Sequence, residues 1–198
     1  MERPEQVSAA GALRTELAVY AAQTYYHAMA VKNPIQSSSS LLLVRRHAEA
    51  APAPPGRSDF ERPLTPRGAA EAAAMGRWLQ SACPELALIA CSPAQRARET
   101  ANGLLAAFPE RVPQIEWERT LYLAEPTVLV GLIAAYAPRP LLLIGHNPGL
   151  AEFVQWMTGA GAQMPTAALI GLALDPDDGL KPGAARIQLQ MRPAQLLP

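Results

Sequence analysis

The chain has 198 residues, 49% of them hydrophobic, and its 17 Lys+Arg and 17 Asp+Glu cancel to a formal charge of zero. That length allows one domain with a sizeable core plus an appendage, and balanced charge argues against a general nucleic-acid binder, which carries a basic excess. Two cysteines make no disulfide scaffold, three histidines at positions 27, 47 and 146 write no short-spaced zinc motif, and no apolar run is long enough to span a bilayer.

Residues 1–39 read as an extension. An alanine-rich stretch at 8–30 has helical character, and Asn33-Pro34 and Ser37–Ser40 then break it. Glu2, Glu5 and Glu16 interrupt any apolar segment, so the N-terminus is a poor secretory signal and a cytoplasmic protein is expected. The domain is predicted over residues 40–198. It starts with Leu41–Arg46, a short apolar run of strand length. Residues 51–63, rich in proline and charge, read as a long loop. Pro66–Ala82 carries a helical stripe at Ala72, Met75, Gly76 and Leu79. Leu86–Cys91 is a second buried strand, Pro93–Phe108 a helix, Gln114–Trp117 a short strand and Pro126–Tyr136 a helix. Leu141–Gly145 is the third strong strand, and Pro148–Thr158 a helix. Ala168–Leu174 and Arg186–Met191 form a terminal hairpin. Trp78, Trp117 and Trp156 are expected in the core or half-buried.

Continuous apolar strands separated by helices predict an α/β fold: a three-layer α/β/α sandwich around a mostly parallel central sheet. Thr65-Pro66, Ser92-Pro93 and Asn147-Pro148 each place a capping residue before a proline at the first helical position, and Ser92-x-x-Gln95 is a capping box. The last two starts follow strands almost directly. Strand C-termini and adjacent helix N-termini form the usual ligand crevice of an open parallel sheet and favour an anion.

Two of the three histidines fall at that edge. His47 ends the first strand in Arg45-Arg46-His47-Ala48-Glu49, and His146 ends the third in Gly145-His146-Asn147-Pro148. Arg96, in the first turn after Ser92-Pro93, leans over the same edge. Guanidinium forks bind phosphoryl oxygens bidentately, neutral imidazole is a competent nucleophile near neutral pH, and arginine donors stabilise a transferring phosphoryl group. The residues therefore point to metal-independent phosphoryl transfer through a covalent phosphohistidine, with no cofactor.

Leu42–Glu49 (LLVRRHAE), Arg62-Pro63-Leu64-Thr65-x-x-Gly68, Ser92-Pro-x-x-Arg96-Ala97-x-x-Thr100 and Gly145-His146-Asn147-Pro148, in that order, resemble the histidine phosphatase superfamily, whose fold is phosphoglycerate mutase-like. The short chain is most similar to its SixA-type phosphohistidine phosphatases. The resemblance implies that His47 is the nucleophile, that Arg46 and Arg96 bind the phosphoryl oxygens, and that His146 stabilises the phosphoryl group. Arg62 is a further pocket candidate. Arg98, about 200° around the helix from Arg96, points elsewhere.

Three departures stand out. Ala48 replaces the family's glycine after the nucleophile. Arg45 precedes the Arg-His pair where an apolar residue is usual, and is expected at an exposed strand end. At Leu121-Tyr122-Leu123 no glutamate stands where larger members keep a proton donor, leaving Glu49 and Glu125 as candidates. An alkoxide leaving group needs a proton; imidazole leaving a labile P–N bond needs less help. The implied substrate is therefore a phosphorylated protein, such as a phosphotransfer domain bearing phosphohistidine. The alternatives are a small phosphoester or a phosphate-sensing module without turnover. No nucleic acid or membrane partner is implied. Asn147 and Ser92 are expected to cap helices, and Glu99 and Thr100 to sit on a helix face without a chemical role.

Overall fold

A computed structural model describes residues 41–109, 111–136, 140–174 and 178–197. The predicted extension over 1–39 and its boundary with the domain lie outside the described residues.

Six strands form one sheet: β1 (Leu41–Arg46), β2 (Leu88–Cys91), β3 (Gln114–Trp117), β4 (Leu141–Gly145), β5 (Leu169–Leu174) and β6 (Ala185–Met191). Their order is β3-β2-β4-β1-β5-β6. β1 to β4 are mutually parallel, and β5 and β6 add an antiparallel hairpin. Four helices cover it: α1 (Pro66–Ala82), α2 (Gln95–Leu105), α3 (Pro126–Tyr136) and α4 (Gly149–Thr158). The expected three-layer α/β/α sandwich is present.

Strand alternation sorts the apolar residues into two cores. Leu41, Leu43, Ile89, Leu142 and Ile144 pack with Met75, Trp78 and Leu79 of α1 and Leu104 of α2. Leu42, Val44, Leu88, Ala90, Leu141 and Leu143 pack with Leu129 and Ile133 of α3 and with Leu150, Phe153 and Val154 of α4. At Gly76, a Cβ would lie 2.4 Å from the Leu104 carbonyl oxygen, so glycine permits the close approach of α1 and α2.

The same alternation corrects the expectation for Arg45. It shares the face of Leu41 and Leu43, and β1 lies inside the sheet between β4 and β5. Its guanidinium is thus driven under α1, with no exposed surface. There Nη2 reaches the Glu71 carbonyl oxygen at 3.5 Å, while Nε and Nη1 have no hydrogen-bond partner. Burial lowers its pKa to about 10, opposed by the Glu71 charge, so it remains a cation.

Capping also differs in part. Thr65 caps α1, its hydroxyl accepting the Gly68 N–H at 3.0 Å. α2 and α4 start later than predicted, after Ala94 and Pro148, so Ser92 and Asn147 do not cap them. The Asn147 amide donates instead to the Met164 carbonyl. Trp78 is buried, whereas Trp117, on edge strand β3, is exposed beneath the Arg98 guanidinium, 5.2 Å from its ring centroid.

Candidate active site

β1, β2 and β4 end side by side, and backbone bonds tie those ends together: His47 N–H to the Gly145 carbonyl at 3.1 Å, and Ser92 N–H to the Ile144 carbonyl at 2.9 Å. The residues that follow these strands meet over a cavity of about 290 Å³ lined by Arg46, His47, Glu49, Asp59, Arg62, Arg96, Leu123, His146 and Asn147.

His47 Nδ1 lies 2.8 Å from the Ala48 carbonyl oxygen. A carbonyl only accepts, so Nδ1 carries the proton and Nε2 holds a lone pair. Arg96 Nε donates to that lone pair at 3.2 Å, and Arg96 Nη2 meets His146 Nδ1 at 3.3 Å. One guanidinium thus touches both imidazoles, whose centroids are 5.1 Å apart. His146 Nε2 is 2.8 Å from Ser92 Oγ, a group that either accepts or donates. Arg96 only donates, so His146 Nδ1 holds a lone pair and its Nε2–H donates to the Ser92 hydroxyl, which orients the second histidine.

Burial, then repulsion from Arg96 and Arg46, lowers the His47 pKa to about 4 against the opposing Ala48 hydrogen bond. Burial, then His47 and Arg96, lowers that of His146 to about 3. Both rings are neutral near pH 7. Arg46 Nη1 donates to the Met164 carbonyl at 3.1 Å, its Nε is buried without a hydrogen-bond partner, and the residue lines the cavity.

The short turn after His47 is held from two helices. Thr100 Oγ1 on α2 accepts the Ala48 N–H at 3.0 Å. The Glu71 carboxylate on α1 accepts the Glu49 N–H at 3.2 Å. Gly68 is required beneath it, since a Cβ there would fall 2.1 Å from the Glu49 carbonyl oxygen. Thr100 is therefore a buried support of the turn after His47. Glu99, too, is engaged, accepting the Leu64 N–H at 2.6 Å.

Of the seven candidates, Arg46, His47, Arg96, His146, Arg62 and Glu49 line the cavity. Glu125 does not: it is exposed just before α3, outside the lining. Arg62 spends Nε on the Ala51 carbonyl at 2.9 Å and Nη2 on that of Ala50 at 3.3 Å, bracing the long loop. Glu49 receives the Thr65 hydroxyl at 2.8 Å.

Two residues of the site carried no signal of spacing. Asp59, on a short 3-10 turn Asp59–Glu61 in that loop, takes Arg96 Nη2 at 3.0 Å, the Tyr122 hydroxyl at 3.0 Å and Arg62 Nη1 at 3.2 Å. Its carbonyl also takes Arg96 Nη1 at 2.6 Å. Burial raises its pKa, but Arg62, Tyr122 and Arg96 outweigh this and hold the carboxylate ionised. Tyr122 sets its ring edge-on to His146, with centroids 5.3 Å apart. Among the described residues, no group of three or more His, Cys, Asp or Glu is placed to hold a metal ion. No helix among them is long and apolar enough to cross a membrane.

The profile of the histidine phosphatase superfamily (branch 1) matches residues 41–121. An uncharacterized Picosynechococcus protein is 31% identical over 154 residues, covering 72% of this chain and 86% of that protein. An uncharacterized Mycobacterium tuberculosis protein is 36% identical over 105 residues, and the chain spans just under two thirds, 63%, of its length. Among solved structures, the SixA protein of Agrobacterium tumefaciens is 27% identical with a TM-score of 0.68, over 79% of this chain and 99% of that one. A mycobacterial glucosyl-3-phosphoglycerate phosphatase shares the fold at 14% identity, with a TM-score of 0.58 over 75% of this chain and 96% of that one.

Proposed function

The chain belongs to the histidine phosphatase superfamily, and we propose that within it this protein removes the phosphoryl group from protein-borne phosphohistidine through a covalent intermediate on His47. It is a hydrolase of the phosphatase class. The supporting observation is the Arg96 guanidinium, which meets the lone pair of His47 and the ring of His146 together. That geometry binds a phosphoryl group between a nucleophile and two arginines.

In the first step His47 Nε2 attacks phosphorus and the bond to the leaving group breaks, its electron pair going with that group. His47 keeps its Nδ1 proton on the Ala48 carbonyl and becomes a phosphorylated imidazolium. Arg46 and Arg96 neutralise the equatorial oxygens. His146, its Nε2–H on the Ser92 hydroxyl and its Nδ1 accepting Arg96 Nη2, holds that guanidinium against the phosphoryl group. In the second step water attacks phosphorus, phosphate leaves, and His47 returns neutral.

The substrate preference is supported by the ionised Asp59 at the mouth and by the cavity size, which falls at the small end of the roughly 300–1,000 Å³ range of ligand pockets. An ionised carboxylate gives no proton to an alkoxide. The SixA structures, at 26% and 27% identity, agree with this reading. A cytoplasmic role in signalling belongs to the same proposal. Glu49 in the lining favours a second reading, a small-phosphoester phosphatase with Glu49 as proton donor.

The test compares a phosphohistidine peptide with p-nitrophenyl phosphate, in EDTA. Wild type is expected to cleave both, with kcat/KM higher for the peptide. His47→Ala is expected to abolish both, and a trapped phosphoenzyme to map to His47. Full activity in His47→Ala overturns the mechanism.

A further inference from the structure

A fixed negative charge at the mouth of a phosphate site is unfavourable unless something offsets it. Asp59 is such a charge. It lines the cavity, its side chain is 52% exposed, and it is bound to Arg96. Its Oδ2 already accepts two donors, Arg96 Nη2 and the Tyr122 hydroxyl. Its Oδ1 accepts only Arg62 Nη1. Each carboxylate oxygen accepts two hydrogen bonds, so Oδ1 of this cavity-lining residue has one acceptor position left. The carboxylate is held by these three donors, and the backbone beneath it by Arg96 Nη1 on the Asp59 carbonyl. Tyr122, whose hydroxyl donates to Asp59, packs edge-to-face on Phe60 with ring centroids 5.0 Å apart.

We infer that Asp59 makes the site selective for a phosphorylated imidazole over a phosphate ester, by accepting the N–H of the ring nitrogen that does not carry phosphorus. This inference rests on the phosphohistidine reading of the site. A phosphoimidazole protonated on its second nitrogen brings the positive N–H that offsets the Asp59 charge, and its ring is then a good leaving group. His47 Nε2 forms a new P–N bond while the substrate P–N bond breaks. The electron pair returns to the departing nitrogen, and the ring leaves neutral, still carrying the N–H shared with Asp59. No proton passes to or from Asp59, consistent with its staying ionised. A phosphate ester offers no such donor and meets the carboxylate as a like charge.

The experiment measures kcat/KM of wild type, Asp59→Asn and Asp59→Glu on a phosphohistidine peptide and on p-nitrophenyl phosphate, whose leaving group needs no proton. Losing a charge-assisted hydrogen bond to the leaving group is expected to lower the peptide-to-ester ratio about tenfold or more in Asp59→Asn. Asp59→Glu is expected to restore much of the ratio. If Asp59 only holds Arg96, both substrates fall together and the ratio stays put, which overturns the inference. An unchanged ratio with unchanged rates overturns it as well. If wild type cleaves the ester but not the peptide, the phosphohistidine reading itself fails, a result distinct from a wild type that cleaves the peptide with a ratio insensitive to Asp59.

Discussion

Replacing Arg96 by lysine keeps one positive charge and removes the planar fork. In the wild type that fork sends Nε to His47 at 3.2 Å, Nη2 to His146 at 3.3 Å and Nη1 to the Asp59 carbonyl at 2.6 Å. A lysine ammonium is a point donor that satisfies one of these directions at a time. Two charge-assisted hydrogen bonds to the phosphoryl group are lost, each worth about 1.5–3 kcal/mol. The retained charge recovers part, leaving about 3 kcal/mol of lost transition-state stabilisation. At about 1.4 kcal/mol per tenfold, kcat/KM is expected to fall by about a hundredfold or more. The assay is steady-state hydrolysis of p-nitrophenyl phosphate, with a thermal melt beside it because the Asp59 carbonyl also loses its donor. A folded Arg96→Lys protein within fivefold of wild type would refute the claim that the fork, rather than charge alone, organises the site.

Three further outcomes are expected. His47 and His146 have folded pKa values of about 4 and about 3, below the ordinary 6.5. As pH falls below 6.5 the unfolded state takes up protons first, so stability is lost progressively down to those values, by up to about 2 kcal/mol per histidine at about pH 5. Urea unfolding at pH 7 and 5 should show a smaller loss in His146→Gln than in wild type, and equal losses would contradict the assignment. Thr100→Val strands the buried Ala48 N–H, at a cost of about 1–3 kcal/mol; an unchanged unfolding free energy would show that this bond does not hold the loop. Arg45→Met removes a cation with two unpartnered nitrogens and leaves Glu71 its bonds to Arg67 and the Glu49 N–H, so it is expected to be neutral or stabilising. Glu71→Leu leaves that cation uncompensated and frees the Glu49 N–H, costing about 3–5 kcal/mol. Melting temperatures in the opposite order would refute this account.

The residues that gather at the cavity from the strand ends were legible because local rules place them. Short apolar runs mark β1, β2 and β4, and a histidine or a capping sequence directly after such a run lies at the sheet's ligand edge. His47, His146, Arg46 and Arg96 follow from that, and the spacing Thr65-x-x-Gly68 follows from one cap and one close backbone approach. Strand order is different. Nothing local says that β1 lies between β4 and β5, and this is what buries Arg45. Nor does a capping signature say where the helix begins: Ser92 and Asn147 stop short of α2 and α4 and serve His146 and Met164 instead. Asp59 belongs to a loop without periodicity, so only the path of that loop, braced by Arg62, brings its carboxylate onto Arg96. Periodicity and spacing determined which side chains reach the ends of the strands that edge the cavity. Long-range packing decided which groups surround them, because strand order and loop path are set by contacts between residues far apart in the chain.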